Sequence, residues 1–170
     1  KQRNLTRMIL VEWSYELQTR DDILGFINYI NVADTSGNSY DLYYGFTDIT
    51  TDENDAGYCS NPDYIEYGEC IDGEAIWYGD QYAPPAPPPP AFDAVLIWNS
   101  ERYFSQLLDG SAENAGVEHE FGVSLTYSSD NIINLSWDNT GWSSLMASCV
   151  LQDVFGGEMI NVDMLSETSL

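Results

Sequence analysis

The side chains here that could do chemistry are carboxylates and aromatic rings. The chain has 170 residues, with 28 Asp and Glu against five Lys and Arg, for a formal charge of −23. Asp52, Asn54 and Asp55 lie close to Gly57, and Asp63 follows Asp52 by eleven positions. Oxygen donors at such spacing suit a hard cation, so Asp52, Asn54, Asp55 and Asp63 are the expected ligands of a Ca2+ ion. The EF-hand pattern itself is not met, because its fifth position falls on Ala56 and its twelfth on an aspartate. A solvated acidic loop is the competing reading of the same residues. Asp34, Ser36 and Asn38 form a second oxygen-rich group, which reads as a hairpin turn.

The rings form the other candidate site. Trp77, Tyr78 and Tyr82 follow the acidic stretch, and Tyr40, Tyr43, Tyr44, Tyr58, Tyr64 and Tyr67 lie near it. Exposed rings stack on sugar faces and anchor protein interfaces. Trp77, Tyr78 and Tyr82 are therefore the expected ligand or interface residues, while Trp13, Trp98 and Trp137 are expected in the core.

Catalysis has little to work with. His119 is the single histidine. It shares a strand face with Val117 and Phe121, which places it at the edge of a core face. No G-x-S-x-G nucleophile elbow occurs, and no phosphate-binding glycine loop. So many carboxylates always supply pairs, so a hydrolase pair cannot be singled out. The chain is expected not to be an enzyme. Five cations cannot track a phosphate backbone, which excludes nucleic acid. The same acidity opposes an anionic membrane surface, and no run of 18 apolar residues exists to cross a bilayer.

Cys59 and Cys70 bracket a ten-residue loop rich in Gly, Asn, Pro and Tyr. A disulfide between them would staple a segment that has little core of its own. Cys149 sits in the apolar run from Met146 to Leu151 and reads as a small buried hydrophobe. Asn4-Leu5-Thr6 and Asn134-Leu135-Ser136 are sequons, so Asn4 and Asn134 are candidate glycosylation sites in a host with that machinery.

Strands must position these groups. Ile9, Val11, Trp13, Tyr15 and Leu17 alternate with polar residues. Ile27 to Val32 and Ser39 to Phe46 read as strands around the turn at 34–38. Residues 47–82 read as a long acidic loop. Residues 83–91 hold six prolines, favour polyproline II and are expected to form a strap from one sheet to another. Alternation returns at Phe92 to Trp98 and Tyr103 to Leu108. It is clearest from Val117 to Tyr127, and it continues through Ile133 to Trp137, Met146 to Asp153 and Ile160 to Met164. Short strands at this spacing predict an all-β sandwich, immunoglobulin-like or jelly-roll, as one domain over 1–170.

Asn134-Leu135-Ser136-Trp137-Asp138-Asn139-Thr140-Gly141-Trp142 carries a resemblance, as do Leu151-Gln152-Asp153, a glycine turn and Ile160-Asn161-Val162-Asp163-Met164. Over residues 40–170 the chain resembles immunoglobulin-like modules of large secreted bacterial surface proteins associated with type IX secretion. There the strap Pro84–Pro90 follows an acidic turn, matched here by Thr51 to Gly57. The resemblance implies an extracellular or cell-surface address and a non-catalytic role. The Cys59–Cys70 loop is an insertion relative to that pattern. The pattern also continues into a final strand beyond Leu170, so an open sheet edge is expected, suited to strand pairing with a neighbour. The expected function is a structural or adhesive module, a self-assembling filament subunit contacting other protein subunits. The alternative is a carbohydrate-binding module with an exposed aromatic platform.

Overall fold

A computed structural model describes residues 5–13, 27–47, 57–59, 63, 67–75, 77–109, 118–128 and 131–170. The described elements are, in chain order, β1 (Leu5–Trp13), β2 (Ile27–Asp34), β3 (Ser39–Thr47), β4 (Gly57–Cys59), α1 (Tyr67–Asp72), β5 (Trp77–Gly79) and β6 (Gln81–Tyr82). They continue as β7 (Asp93–Trp98), β8 (Glu101–Asp109), β9 (Glu118–Thr126), β10 (Ile133–Trp137), a 3-10 turn (Trp142–Ser144), β11 (Met146–Asp153) and β12 (Asn161–Asp163). The protein is all-β in class, with one short helix among the described residues.

Ten strands form one sheet in the order β10-β2-β3-β8-β7-β9-β1-β11-β12, with β6 on β8, and β4 pairs with β5 separately. The pairs are antiparallel except β3 with β8, where Tyr43 lies beside Ser105. The sheet curls until its two halves meet. Tyr44 of β3 touches Phe121 of β9 with ring centroids 5.2 Å apart, although β8 and β7 separate those strands in the sheet. Trp142 meets Tyr44 edge-on. Ile30, Val32, Leu42, Leu96, Val123, Leu125, Leu135, Trp137 and Leu151 complete the buried centre. On β2, β9, β10 and β11 the inward residues alternate with outward ones, the period-2 burial that a half-buried strand requires.

β8 turns the corner by a bulge. Tyr82 pairs with Tyr103 but Gln81 pairs with Ser105, so β8 holds one extra residue, Phe104. The extra residue breaks the alternation and increases the local bend. Tyr103 and Phe104 can therefore both serve the core. Packing between β9 and β7 is equally close: a Cβ at Gly122 would stand 3.0 Å from the Ile97 carbonyl oxygen.

Residues 164–170 tie the end of β12 to the opposite side of the sheet. The Leu135 and Leu170 backbones exchange N–H···O bonds of 2.9 Å, and Trp137 N–H donates to Thr168 O at 3.0 Å. The crossing is held by two side chains. Trp137 Nε1 donates to Met164 O at 3.1 Å, and Asn139 Nδ2 reaches the carbonyls of Met164, Leu165 and Glu167. The edge of β10 is thus paired with residues 168–170 from Leu135 to Trp137.

Three sequence expectations change. The stretch 47–82 contains the end of β3, then β4, α1, β5 and β6, and is not one loop. The proline segment does not pass between distant strands, since β6 before it and β7 after it both pair with β8. Its start is fastened there: Ala83 N–H donates to Arg102 O, and Arg102 Nε to Pro84 O at 2.9 Å. The same guanidinium grips Asp93 with two bonds of 2.9 and 3.0 Å, the fork geometry that favours arginine at such a position. Trp98 is not a core residue. It is 39% exposed at the tip of the β7–β8 hairpin, where Asn99 and Ser100 take positive φ.

Candidate binding surfaces

Four aspartates show where the described polar side chains are used. Asp34 accepts the N–H groups of Ser36 and Asn38 and the Asn38 carboxamide, each at 2.9 Å, and Asn131 Nδ2 at 3.1 Å. The Asn38 carboxamide, aided by the backbone and by Asn131, holds the Asp34 carboxyl below the usual range against the effect of burial. Asp138 accepts Thr140 N–H and Oγ1, which lower it in the same way. Asp163 accepts Leu165 N–H and Ser166 Oγ. All of these are Asx-type turns, in which a short side chain replaces a backbone acceptor.

Asp153 does more. It is buried at the end of β11 and accepts Phe155 N–H at 2.8 Å, Met159 N–H at 2.7 Å and Ile160 N–H at 2.6 Å. Burial pushes its carboxyl up, but the N–H groups of Ile160, Met159 and Phe155 outweigh that and hold it below the ordinary range. Gly156 and Gly157 supply the positive φ values the loop needs. The loop presents large apolar side chains, Phe155 63% and Met159 64% exposed with Val154 beside them, together with the exposed carboxylate Glu158.

A second surface is the outer face of β10-β2-β3. Tyr29 lies opposite Tyr43, and Asn31 opposite Asp41. The two rings are 5.5 Å apart and each tyrosine is 40% exposed. Asn31 Nδ2 donates to Asp41 Oδ1 at 2.7 Å. Burial, then Asp41 and Tyr29 nearby, push the Tyr43 hydroxyl up, which keeps it a neutral donor.

The residues expected from sequence are spread across other parts of the fold. Asp52, Asn54, Asp55 and Asn4 lie outside the described residues, and Asp63 is exposed. No group of three or more metal-ligating side chains occurs among the described residues. Trp77 and Tyr78 lie on β5, which packs against β8. Tyr82 is 51% exposed, its ring 4.7 Å from that of Tyr103. Asn134 is exposed on β10. Cys59 lies on β4, and α1, which carries buried Cys70, packs against that strand. Cys149 is free and buried, its thiol pushed up to about 12 by burial and by Asp163, and it contacts Met164 Sδ at 3.7 Å. His119 is buried on β9.

Sequence reasoning missed the Tyr29–Tyr43 pair and the loop at 154–160. The first had a signal, since Tyr29 and Tyr43 fall at the outward phase of their strands once the hairpin turn at 35–38 is fixed. No family model, curated protein or solved structure matches the chain.

Proposed function

We propose that this protein is a secreted or cell-surface structural and adhesive module, non-enzymatic, whose curled sheet is a β-sandwich of immunoglobulin-like or jelly-roll type. It contacts other protein subunits, copies of itself included. The observation that carries the reading is the loop at 154–160. A surface loop that displays Phe155 and Met159 while a buried carboxylate fixes its backbone has already lost the freedom that binding would otherwise remove. Contact falls to this loop and not to strand exchange at β10, because Thr168–Leu170 occupies that edge. The reading includes a Cys59–Cys70 disulfide and a Ca2+ ion on Asp52, Asn54, Asp55 and Asp63. The disulfide is supported by the packing of α1, which carries Cys70, against β4, which carries Cys59.

Light scattering and negative-stain microscopy test it, on the parent and on a Phe155→Ser, Met159→Ser variant, with calcium and then with chelator. The expected result is ordered oligomers of the parent that the double variant fails to form. Loss on chelation would place calcium at the contacts. A monomeric parent in every condition would overturn self-association.

A further inference from the structure

The outer face of β10-β2-β3 mixes half-exposed rings with polar side chains. Strand alternation and register bring Tyr29, Asn31, Tyr43 and Asp41 together, with Ser136 of β10 beside Asn31. The two rings stand between Ile27, 36% exposed on one side, and the hydrogen-bonded Asn31–Asp41 pair on the other. An interface core favours large apolar contact and depletes charge. Here half-exposed rings, their planes inclined by 42°, share one surface with amide, carboxylate and hydroxyl groups.

We propose that this face binds a neutral oligosaccharide chain. The ring faces carry negative electrostatic potential and attract the polarised C–H face of a pyranose. Sugar hydroxyls donate and accept together, and each finds a match. Asp41 has a second carboxylate oxygen and Asn31 a carbonyl oxygen to accept, while the Tyr43 hydroxyl and the Asn31 amide donate. Charge selects against acidic glycans: the four residues include no cation, and the whole chain stands at −23. The ligand surface is separate from the loop at 154–160, so this site can exist whether or not the protein self-assembles.

Affinity electrophoresis in native gels tests the site, with cellulose-, xylan- and mannan-derived neutral polysaccharides and with a sulfated dextran. Isothermal titration with the matching hexasaccharides gives the affinity. The parent should be retarded by at least one neutral polymer and not by the sulfated one. Tyr43→Ala and Tyr29→Ala should each weaken binding about tenfold or more. Their melting temperatures should stay near the parent's, and the Phe155→Ser, Met159→Ser variant should bind sugar normally. Three outcomes would overturn the proposal: no retardation by any neutral polymer, parent-like binding by Tyr43→Ala, or a Tyr43→Ala change in oligomeric state with no change in sugar binding. The last would mean that a second copy of the chain covers this face.

Discussion

The two faces of the β2–β3 hairpin are built from the same two strands and have opposite duties. Inward, Ile30, Val32, Leu42 and Tyr44 are fully buried. Outward, Tyr29, Asn31, Asp41 and Tyr43 meet solvent. Tyr43 and Tyr44 are adjacent in sequence, yet one ring packs on Phe121 in the centre and the other on Tyr29 at the surface. A period of two lets one strand carry fold and display at once, so surface chemistry can change without disturbing the interior. The contrast predicts a clean separation of phenotypes: inward substitutions change stability, and outward ones change recognition.

The largest effect belongs to the centre. Phe121 is fully buried where the two halves of the sheet meet, and Phe121→Ala removes the ring that Tyr44 packs against. A loss of about 3–5 kcal/mol is expected in urea unfolding, against about 0.5 kcal/mol for an outward Tyr43→Ala. Comparable losses at both positions would break the contrast.

An intermediate effect is expected at Asp153, a buried group that serves the surface. Its carboxyl sits below its ordinary value of 3.8 in the fold. The sign follows directly: the unfolded chain binds the proton more tightly, so this stabilisation is present above that value and disappears as pH falls through the lower folded one. The parent should lose stability as pH falls below about 4. Asp153→Asn should be less stable at neutral pH and should show a shallower acid limb. It keeps one acceptor, whereas Met159 and Ile160 both donate to Oδ2. An unchanged acid limb would show that other carboxylates control that range.

How much of this was legible follows from which forces act locally. Alternation marked β9, β10 and β11 because burial of one face leaves a direct trace in residue order. The burial of His119 was readable for the same reason, and that of Cys149 from the apolar run around it. The bulge at Phe104 was not, since an extra residue erases the period that would reveal it. The crossing at 164–167 depends on Asn139 reaching carbonyls more than twenty residues away, and an asparagine in a turn gives no sign of so distant a partner. Trp98 was misplaced because its alternation extends to a hairpin tip, where no opposing layer remains to cover it. The aromatic site was placed at Trp77, Tyr78 and Tyr82 on composition alone. Register, which composition does not contain, also brings Tyr29 and Tyr43 together.

The smallest effect is the sharpest test of the two faces. Tyr44 is fully buried, and its hydroxyl has no hydrogen-bond partner among the described residues. Burial, with Cys149 nearby, pushes that hydroxyl well above the ordinary tyrosine range. A buried hydroxyl without a partner has given up its bonds to water for nothing, and removing it recovers that loss. Tyr44→Phe should therefore be neutral or stabilise the protein by up to about 1 kcal/mol. Tyr43→Phe at the surface should leave stability unchanged and weaken sugar binding, because there the hydroxyl faces ligand. If Tyr44→Phe instead destabilised the fold by more than about 1 kcal/mol, the hydroxyl would have to be bonded in the interior. The inner face would then include a polar contact of its own, and the division into an apolar inside and a recognising outside would fail at the residue where the two faces lie closest in sequence.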